Sequence, residues 1–197
     1  MAVDFENVLF SEFERLDHTK FKVNFAKKHI FVCGGLVDAA KPIPPSFRDR
    51  FIQFSAQRDE DIHRAIVLAE SFKDYFKENT FNDLLVFEDE IANIASLILI
   101  FLESPGSLVE LGMFCSRPSY YKKLLIVAPQ EKTEDEDSFI YLGPLEHIKR
   151  KEESSVAIYP WPSGSEIKYD IDYLSDLNHN IKEKLRLASN KVSFQST

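Results

Sequence analysis

The chain is poor in features that mark secreted, membrane-spanning or nucleic-acid-coating proteins. Its 197 residues include only two cysteines, Cys33 and Cys115, both in apolar surroundings, so we expect buried thiols in a reducing cytoplasm. Positive charge is not in excess: the net charge of −8 disfavours broad binding to nucleic acid or acidic membranes. The longest apolar stretch, residues 91–102, contains Asn93 and Ser96 and is too short to cross a bilayer. No secretory leader is legible, so we expect a cytoplasmic protein with no membrane contact.

What the chain does contain is enough apolar material for one good core. Hydrophobic residues make up 44% of it and 17 residues are Phe, which is sufficient for a single domain over residues 1–197. Apolar residues at helical spacing in the first twenty positions predict an N-terminal amphipathic helix. A similar pattern over residues 171–187 predicts a closing helix.

Short apolar runs alternate with helical patterns along the chain. Strands are predicted at residues 29–33, 64–68, 97–102, 124–128 and 155–159. Helices are predicted at residues 46–57, 71–77, 82–93 and 108–115, and a proline-rich surface loop precedes the first of these. This alternation predicts an α/β fold: a doubly wound, mainly parallel five-stranded sheet, Rossmann-like, with helices on both faces. Its binding crevice should lie at the carboxyl ends of the strands, where Gly34, Gly35, Glu70 and Glu103 fall.

The most informative segment is residues 97–114, in which a buried strand runs into Glu103 and then into the turn Ser104-Pro105-Gly106. Ser107 is expected to open a helix that carries Glu110. Glu110 has two interpretations. It can complete a capping box with Ser107, or it can face the crevice as an ionised nucleophile toward an anomeric carbon. In the second case we expect Glu103 and Glu110 to share one crevice, as the paired carboxylates of retaining glycoside cleavage do.

Further residues are candidates for substrate binding. Gly34 and Gly35 are expected to floor the crevice. Gly106 permits close approach of a ligand, and Ser107 offers a hydroxyl and an unpaired N–H. Glu70 and Glu88 are weaker candidates, since either can simply be solvated. We expect no metal site, because the histidines show no ligand spacing.

Three motifs carry a resemblance to a known family: FVCGG at residues 31–35, ESPGSLVELGMF at residues 103–114 and SFIYLGP at residues 138–144. Over residues 28–150 the chain resembles the ribosyltransferase-type effectors of bacterial retrons. These are anti-phage toxins with the nucleoside 2-deoxyribosyltransferase fold. The resemblance implies that Glu110 is the nucleophile and that Glu103 and Glu88 are its acidic partners. In the wider family the acidic residue before the glycine lies one residue closer to that glycine. Glu103 therefore matches the family's acidic residue less closely than Glu110 matches its nucleophile. The winged-helix-like DNA-binding region of the better-known effector is expected to be absent.

The resemblance also implies an activity and partners. The activity is cleavage of the N-glycosidic bond of a nucleotide, with NAD as the leading substrate and no cofactor. The partners are the retron reverse transcriptase and its RNA–DNA hybrid, reached mainly through protein contact, and a second copy of the chain. The basic clusters at residues 122–123 and 149–151 are the sequence candidates for phosphate contact. A non-catalytic, nucleotide-sensing Rossmann-like module stays open as an alternative, and an assembly protein is a third possibility.

Overall fold

The computed structural model describes residues 28–72, 83–133, 140–161 and 167–190. They contain a five-stranded sheet in which every neighbouring pair of strands is parallel. The order across the sheet is β2-β1-β3-β4-β5. The strands are β1 (Ile30–Cys33), β2 (Ile66–Leu68), β3 (Leu97–Phe101), β4 (Leu124–Pro129) and β5 (Val156–Tyr159).

Helices connect the strands and follow the last one. They are α1 (Phe47–Arg58), α2 (Glu60–Ala65), α3 (Leu84–Ile94), α4 (Pro105–Cys115), α5 (Gln130–Thr133), α6 (Glu146–Lys151) and α7 (Ile167–Asn190). Short 3₁₀ turns lie at Ala69–Phe72, Pro118–Lys123 and Glu153–Ser155, and a π turn at Tyr141–Leu145.

Helices cover both faces of the sheet, and each face has its own apolar core. Phe87, Leu111 and Ile148 of α3, α4 and α6 pack on one face. Phe51 of α1 and Leu177 of α7 pack on the other face. Every residue of β1, β3 and β4 is buried, as expected of parallel strands covered on both sides. The predicted doubly wound α/β class is confirmed, and the sheet is all-parallel rather than mainly parallel.

The prediction of a strand over residues 64–68 is wrong at its start. Arg64 and Ala65 belong to helix α2, and only Ile66–Leu68 is extended. The helix forms because the carboxylate of Asp59 accepts a hydrogen bond from the backbone N–H of Ile62 at 3.3 Å, which caps its first turn.

Two predicted helices lie wholly or partly outside the described residues. The N-terminal helix does so entirely. Of the helix predicted at residues 71–77, only Ser71 and Phe72 are described, and they form the end of the 3₁₀ turn Ala69–Phe72. The predicted closing helix lies within the longer α7. Among the described residues, no helix is both long enough and apolar enough to span a bilayer.

The strand order fixes where a ligand can enter. From β1 the sheet extends to β2 on one side and to β3, β4 and β5 on the other. Connections that leave neighbouring strands in opposite directions open a crevice at the carboxyl ends of those strands. The segments that follow β1 and β3 therefore define the candidate site.

Candidate active site

Helix α4 begins three residues earlier than predicted. Ser104 is its N-cap and Pro105 its first residue, a position that proline favours because its missing N–H would have no helical partner. The Ser104 hydroxyl accepts the N–H of Ser107 at 3.1 Å, and the Ser107 hydroxyl accepts the N–H of Ser104 at 3.1 Å. The capping box is thus Ser104 with Ser107, and the predicted box of Ser107 with Glu110 is wrong.

This local structure changes what Ser107 and Gly106 can offer a ligand. Ser107 is 1% exposed, and its hydroxyl donates to the carbonyl of Ser104 at 2.8 Å. The expectation that Ser107 has an unpaired N–H is wrong, because this N–H donates to the Ser104 hydroxyl. Gly106 is exposed in the first turn of α4, so the backbone next to it remains open to a ligand. Substrate binding by either residue stays a prediction.

Glu103 is held by three backbone donors. Its carboxylate accepts N–H groups of Gly35 at 3.0 Å, Phe47 at 2.8 Å and Arg48 at 3.0 Å. Two of these belong to the first turn of α1, where unpaired N–H groups and the helix dipole favour a negative charge. Glu103 therefore ties the end of β3 to the loop after β1 and to the start of α1.

Gly34 and Gly35 allow this close approach. Gly34 has φ of +154°, and a Cβ there would lie 2.9 Å from the Cβ of Phe101 and 3.0 Å from the Cδ of Arg48. A Cβ on Gly35 would lie 2.8 Å from the Cδ of Glu103. The absence of side chains at the two glycines therefore lets the segment after β1 pack closely against Phe101 and Glu103. Contact of the glycines with a substrate stays a separate prediction.

Glu110 lies in the second turn of α4 and is partly buried. Burial and the negative charges of Glu88 and Glu70 raise its pKa to about 7, against an opposing hydrogen bond from Cys33 and the charge of Arg48. Burial, together with Glu70, also raises the pKa of Glu88. The structure thus brings three of the four predicted carboxylates, Glu70, Glu88 and Glu110, close enough to interact. Perturbed carboxylates at the carboxyl edge of a parallel sheet are typical of catalytic sites.

Arg48 is the residue of this group that the sequence analysis missed. It is 1% exposed, and its guanidinium holds Glu70 with two bonds of 2.7 and 2.5 Å. It also donates to the carbonyl of Gly35 at 3.1 Å. The sequence contains a signal for this residue. The helix dipole disfavours a cation in the first turn of a helix, and Arg48 lies two residues after the N-cap Ser46. Its position therefore indicates a carboxylate partner elsewhere in the chain.

A cavity of about 450 Å³ lies beside Glu103 at the same edge of the sheet. Gly35, Leu36, Phe47 and Trp161 contribute to its wall, and the Trp161 ring packs edge-on against Phe47 at 4.9 Å. Glu103 lines this cavity and Glu110 does not. The predicted carboxylates therefore fall into two groups: Glu103 lines the cavity, and Glu70 and Glu88 act electrostatically on Glu110.

The basic clusters predicted to contact phosphate are partly engaged within the protein. Lys123 donates to the carbonyls of Ala92, Asn93 and Ala95 at 2.7, 2.8 and 3.2 Å, so it caps the end of α3. Burial lowers its pKa to about 8. Arg150 pairs with Glu146 at 2.9 Å on the exposed surface of α6. In the described part of the chain, His, Cys, Asp and Glu side chains form no group of three or more that is placed to hold a metal ion.

Comparison with known proteins is informative over most of the chain. Two curated relatives come from Escherichia coli. The "Retron Ec73 putative ribosyltransferase/DNA-binding protein" is 33% identical over 150 residues, which are 75% of this chain and 46% of the relative. The "Retron Ec86 putative ribosyltransferase/DNA-binding protein" is 31% identical over 168 residues, 80% of this chain and 47% of the relative. The chain thus spans about half the length of these relatives.

The family comparison agrees with these relatives. Residues 44–197 match the model of the STM3845 retron effector protein family. The matched region includes α1 with Arg48, the carboxylates Glu70, Glu88 and Glu110, and the Glu103 turn. This chain therefore belongs to the STM3845 retron effector family.

Proposed function

We propose that this chain is a retron defence effector of the nucleoside deoxyribosyltransferase-like type that cleaves the N-glycosidic bond of a nucleotide, with NAD as the leading substrate. One observation carries the proposal: Glu110 is partly buried beside Glu70 and Glu88 at the carboxyl edge of the sheet. The names of the two relatives, which include a ribosyltransferase activity, support the same class of chemistry.

In the first step, ionised Glu110 attacks the ribosyl C1′ as the bond from C1′ to the base nitrogen breaks. The bonding electron pair leaves with the base. Nicotinamide in NAD is cationic, so it departs as a neutral molecule and needs no proton. For a nucleotide with a neutral base, protonated Glu88 supplies the proton, and its raised pKa favours that form.

In the second step, water or another acceptor attacks C1′ and the ester bond to Glu110 breaks. Glu88 takes the proton of the attacking water: it is free to do so after it has given its own proton to a neutral base, and for NAD it must be in its ionised form from the start. Glu110 returns to its ionised form. With a pKa of about 7, both the ionised and the protonated form of Glu110 are populated near neutral pH in the free protein. A cationic substrate would increase the ionised fraction, because an adjacent positive charge favours the carboxylate.

Glu103 is better suited to positioning than to proton transfer. Three backbone N–H groups donate to its two oxygens, and together they hold the carboxylate in one orientation. Its proposed contribution is to hold the Gly35 loop and the start of α1 against β3. Glu70, held in place by Arg48, is proposed to bind the sugar.

The interaction of Glu110 with Glu70 and Glu88 disfavours the alternative of a sensor that holds phosphate beside these residues, because clustered carboxylates repel phosphate. The proposed reaction brings the ribosyl C1′ of the substrate, and not its phosphate, to these carboxylates. We further propose that the chain associates with the retron reverse transcriptase and its RNA–DNA hybrid mainly through protein contacts, and that it forms homo-oligomers.

If protein contacts dominate, binding of the isolated chain to single-stranded DNA or RNA should be weak and sensitive to salt.

The test of the proposal is incubation of the purified chain with NAD and, separately, with deoxynucleotides, followed by chromatographic detection of free base. We expect base release by the wild-type chain and none by Glu110→Gln, which keeps the shape of the side chain and removes its charge. Glu90→Gln, an exposed change on α3, is the control and should retain activity. Release of base by Glu110→Gln at the wild-type rate would exclude Glu110 as the nucleophile.

A further inference from the structure

Arg48 occupies an unusual position for a cation. It is almost completely buried in the first turn of α1, where both burial and the helix dipole oppose a positive charge. Its Nε–H is buried, and within the described part of the chain it has no hydrogen-bond partner. A cation kept in so unfavourable a place needs a compensating role.

The contacts of Arg48 join the parts of the candidate site. Its backbone N–H is accepted by Glu103 and its guanidinium by the Gly35 carbonyl. The two terminal nitrogens donate one hydrogen bond to each oxygen of Glu70. This bidentate geometry fixes the carboxylate in one orientation. The aliphatic part of Arg48 packs against Gly34: its Cδ would lie 3.0 Å from a Cβ at that position.

We propose that Arg48 is a positioning residue for the proposed reaction: it fixes the carboxylate of Glu70 and supplies the positive charge that keeps the Glu70, Glu88 and Glu110 cluster together. This inference rests on the proposed function only for its kinetic consequences. The ion pair itself is a property of the folded chain.

Four described groups act electrostatically on Glu110, each from a different element. They are Cys33 of β1, Arg48 of α1, Glu70 of the 3₁₀ turn after β2 and Glu88 of α3. Arg48 favours ionised Glu110, and Glu70 opposes it. Removing one member of the Arg48–Glu70 pair should therefore shift the titration of Glu110 in the direction opposite to removal of the other.

The experiment compares Arg48→Gln, Arg48→Lys, Glu70→Gln and the double variant Arg48→Gln/Glu70→Gln. The matched control is Arg64→Gln, which breaks an Arg–Glu pair with Glu60 that is about 70% exposed on both sides (72% and 71%). The first measurement is a pH titration of the Glu110 carboxyl carbon by NMR, with the signal assigned by its loss in Glu110→Gln. This measurement requires no enzymatic activity.

We expect the Glu110 midpoint to rise in Arg48→Gln, to fall in Glu70→Gln and to return toward the wild-type value in the double variant. Arg64→Gln should leave it unchanged. Arg48→Lys keeps the positive charge but loses the bidentate hydrogen bonds to Glu70, so the midpoint of the Glu110 titration should move little in this variant. If Arg48→Gln does not fold, judged by thermal unfolding, Glu70→Gln and Arg48→Lys still test the proposal.

The second measurement is the pH dependence of base release. We expect kcat to fall on the order of a hundredfold in Arg48→Lys, because a misoriented group near the reacting atoms costs about that much, with the pH midpoint preserved. Midpoints that do not move, or that move in the same direction in Arg48→Gln and Glu70→Gln, would overturn the role of Arg48. Absence of base release by the wild-type chain would instead contradict the proposed function and leave the NMR result to decide on Arg48.

Discussion

The thiol of Cys33 donates a hydrogen bond to the carboxylate of Glu110 at the carboxyl end of β1. Cys33 is 0% exposed, and burial, together with the charge of Glu110, raises the pKa of its thiol well above the usual value. The sulfur therefore stays protonated and acts as donor. It favours the ionised form of Glu110, which burial, Glu88 and Glu70 oppose.

Cys33→Ala should raise the pKa of Glu110 further, because the lost hydrogen bond stabilises the ionised carboxylate. The pH of half-maximal kcat/KM for base release should then rise. Cys33→Ser keeps a donor and should stay closer to the wild-type value. The control is Cys115→Ala, which alters the other free cysteine. A midpoint that is the same in Cys33→Ala and in the wild type would show that the thiol does not act on Glu110.

Glu110→Gln should stabilise the protein at high pH. The pKa of Glu110 rises from 4.5 to about 7 on folding, so the folded state binds this proton more tightly than the unfolded state does. Ionisation therefore costs stability: the cost is absent below the unfolded pKa, grows as the pH rises and is complete above the folded pKa. The gain above pH 7 should be on the order of 3 kcal/mol, because the pKa differs by about 2.5 between the two states and each pKa unit corresponds to about 1.4 kcal/mol.

Urea unfolding at pH 4 and at pH 8 measures this difference. Glu110→Gln and wild type should be equally stable at the lower pH and should differ at the higher one. Glu90→Gln serves again as the exposed control. Equal stability of Glu110→Gln and wild type at both pH values would contradict the shifted pKa.

Glu103→Gln should destabilise the fold. The amide has one oxygen in place of two, so at least one of the N–H donors of Gly35, Phe47 and Arg48 loses its partner and the others lose a charged acceptor. Hydrogen bonds to charged groups contribute about 1.5–3 kcal/mol each, and we expect a loss of about 2 kcal/mol in urea unfolding at pH 7. Glu146→Gln, which breaks the exposed pair with Arg150, should change stability by less than about 1 kcal/mol.

Gly34→Ala and Gly112→Ala should have opposite effects. A Cβ on Gly34 meets Phe101 at 2.9 Å, and the φ of +154° is one that side-chain-bearing residues rarely adopt, so we expect a loss of about 1–3 kcal/mol or more. Gly112 lies inside α4 with nothing within 4 Å of its Cβ position. There alanine should stabilise the protein by about 0.5–1 kcal/mol. Thermal unfolding of both variants provides the comparison.

Local patterns were sufficient to predict the sheet and the edge that carries the site. Strand β3 is a run of five buried apolar residues, and a parallel sheet places the residue after each strand at one edge. Glu103 and Glu70 are at that edge for this reason. The same local logic misplaced the start of α4, because Ser104 and Ser107 are both good capping residues and only Pro105 at the first helical position distinguishes them.

Local patterns could not predict that Glu103 lines the cavity while Glu110 interacts with Glu70 and Glu88. The position of the Glu103 carboxylate depends on the donors that it finds. Glu103 finds backbone N–H groups 55 to 68 residues away in sequence. Arg48 and Glu70 are 22 residues apart, and no periodicity relates two side chains across a strand and two helices.

The three bonds of Glu103 have a consequence for how the loop after β1 can change. All its donors are main-chain groups, so apart from Gly34 and Gly35, where a Cβ would not fit, these bonds do not depend on which side chains the loop carries. Substitutions at Leu36 or Ile43, both exposed and both in the cavity wall, can reshape that wall without loosening the attachment of α1. The shape of this cavity wall can therefore change with the side chains of the loop, while Glu103, Gly34 and Gly35 keep the attachment of β3 to α1 constant.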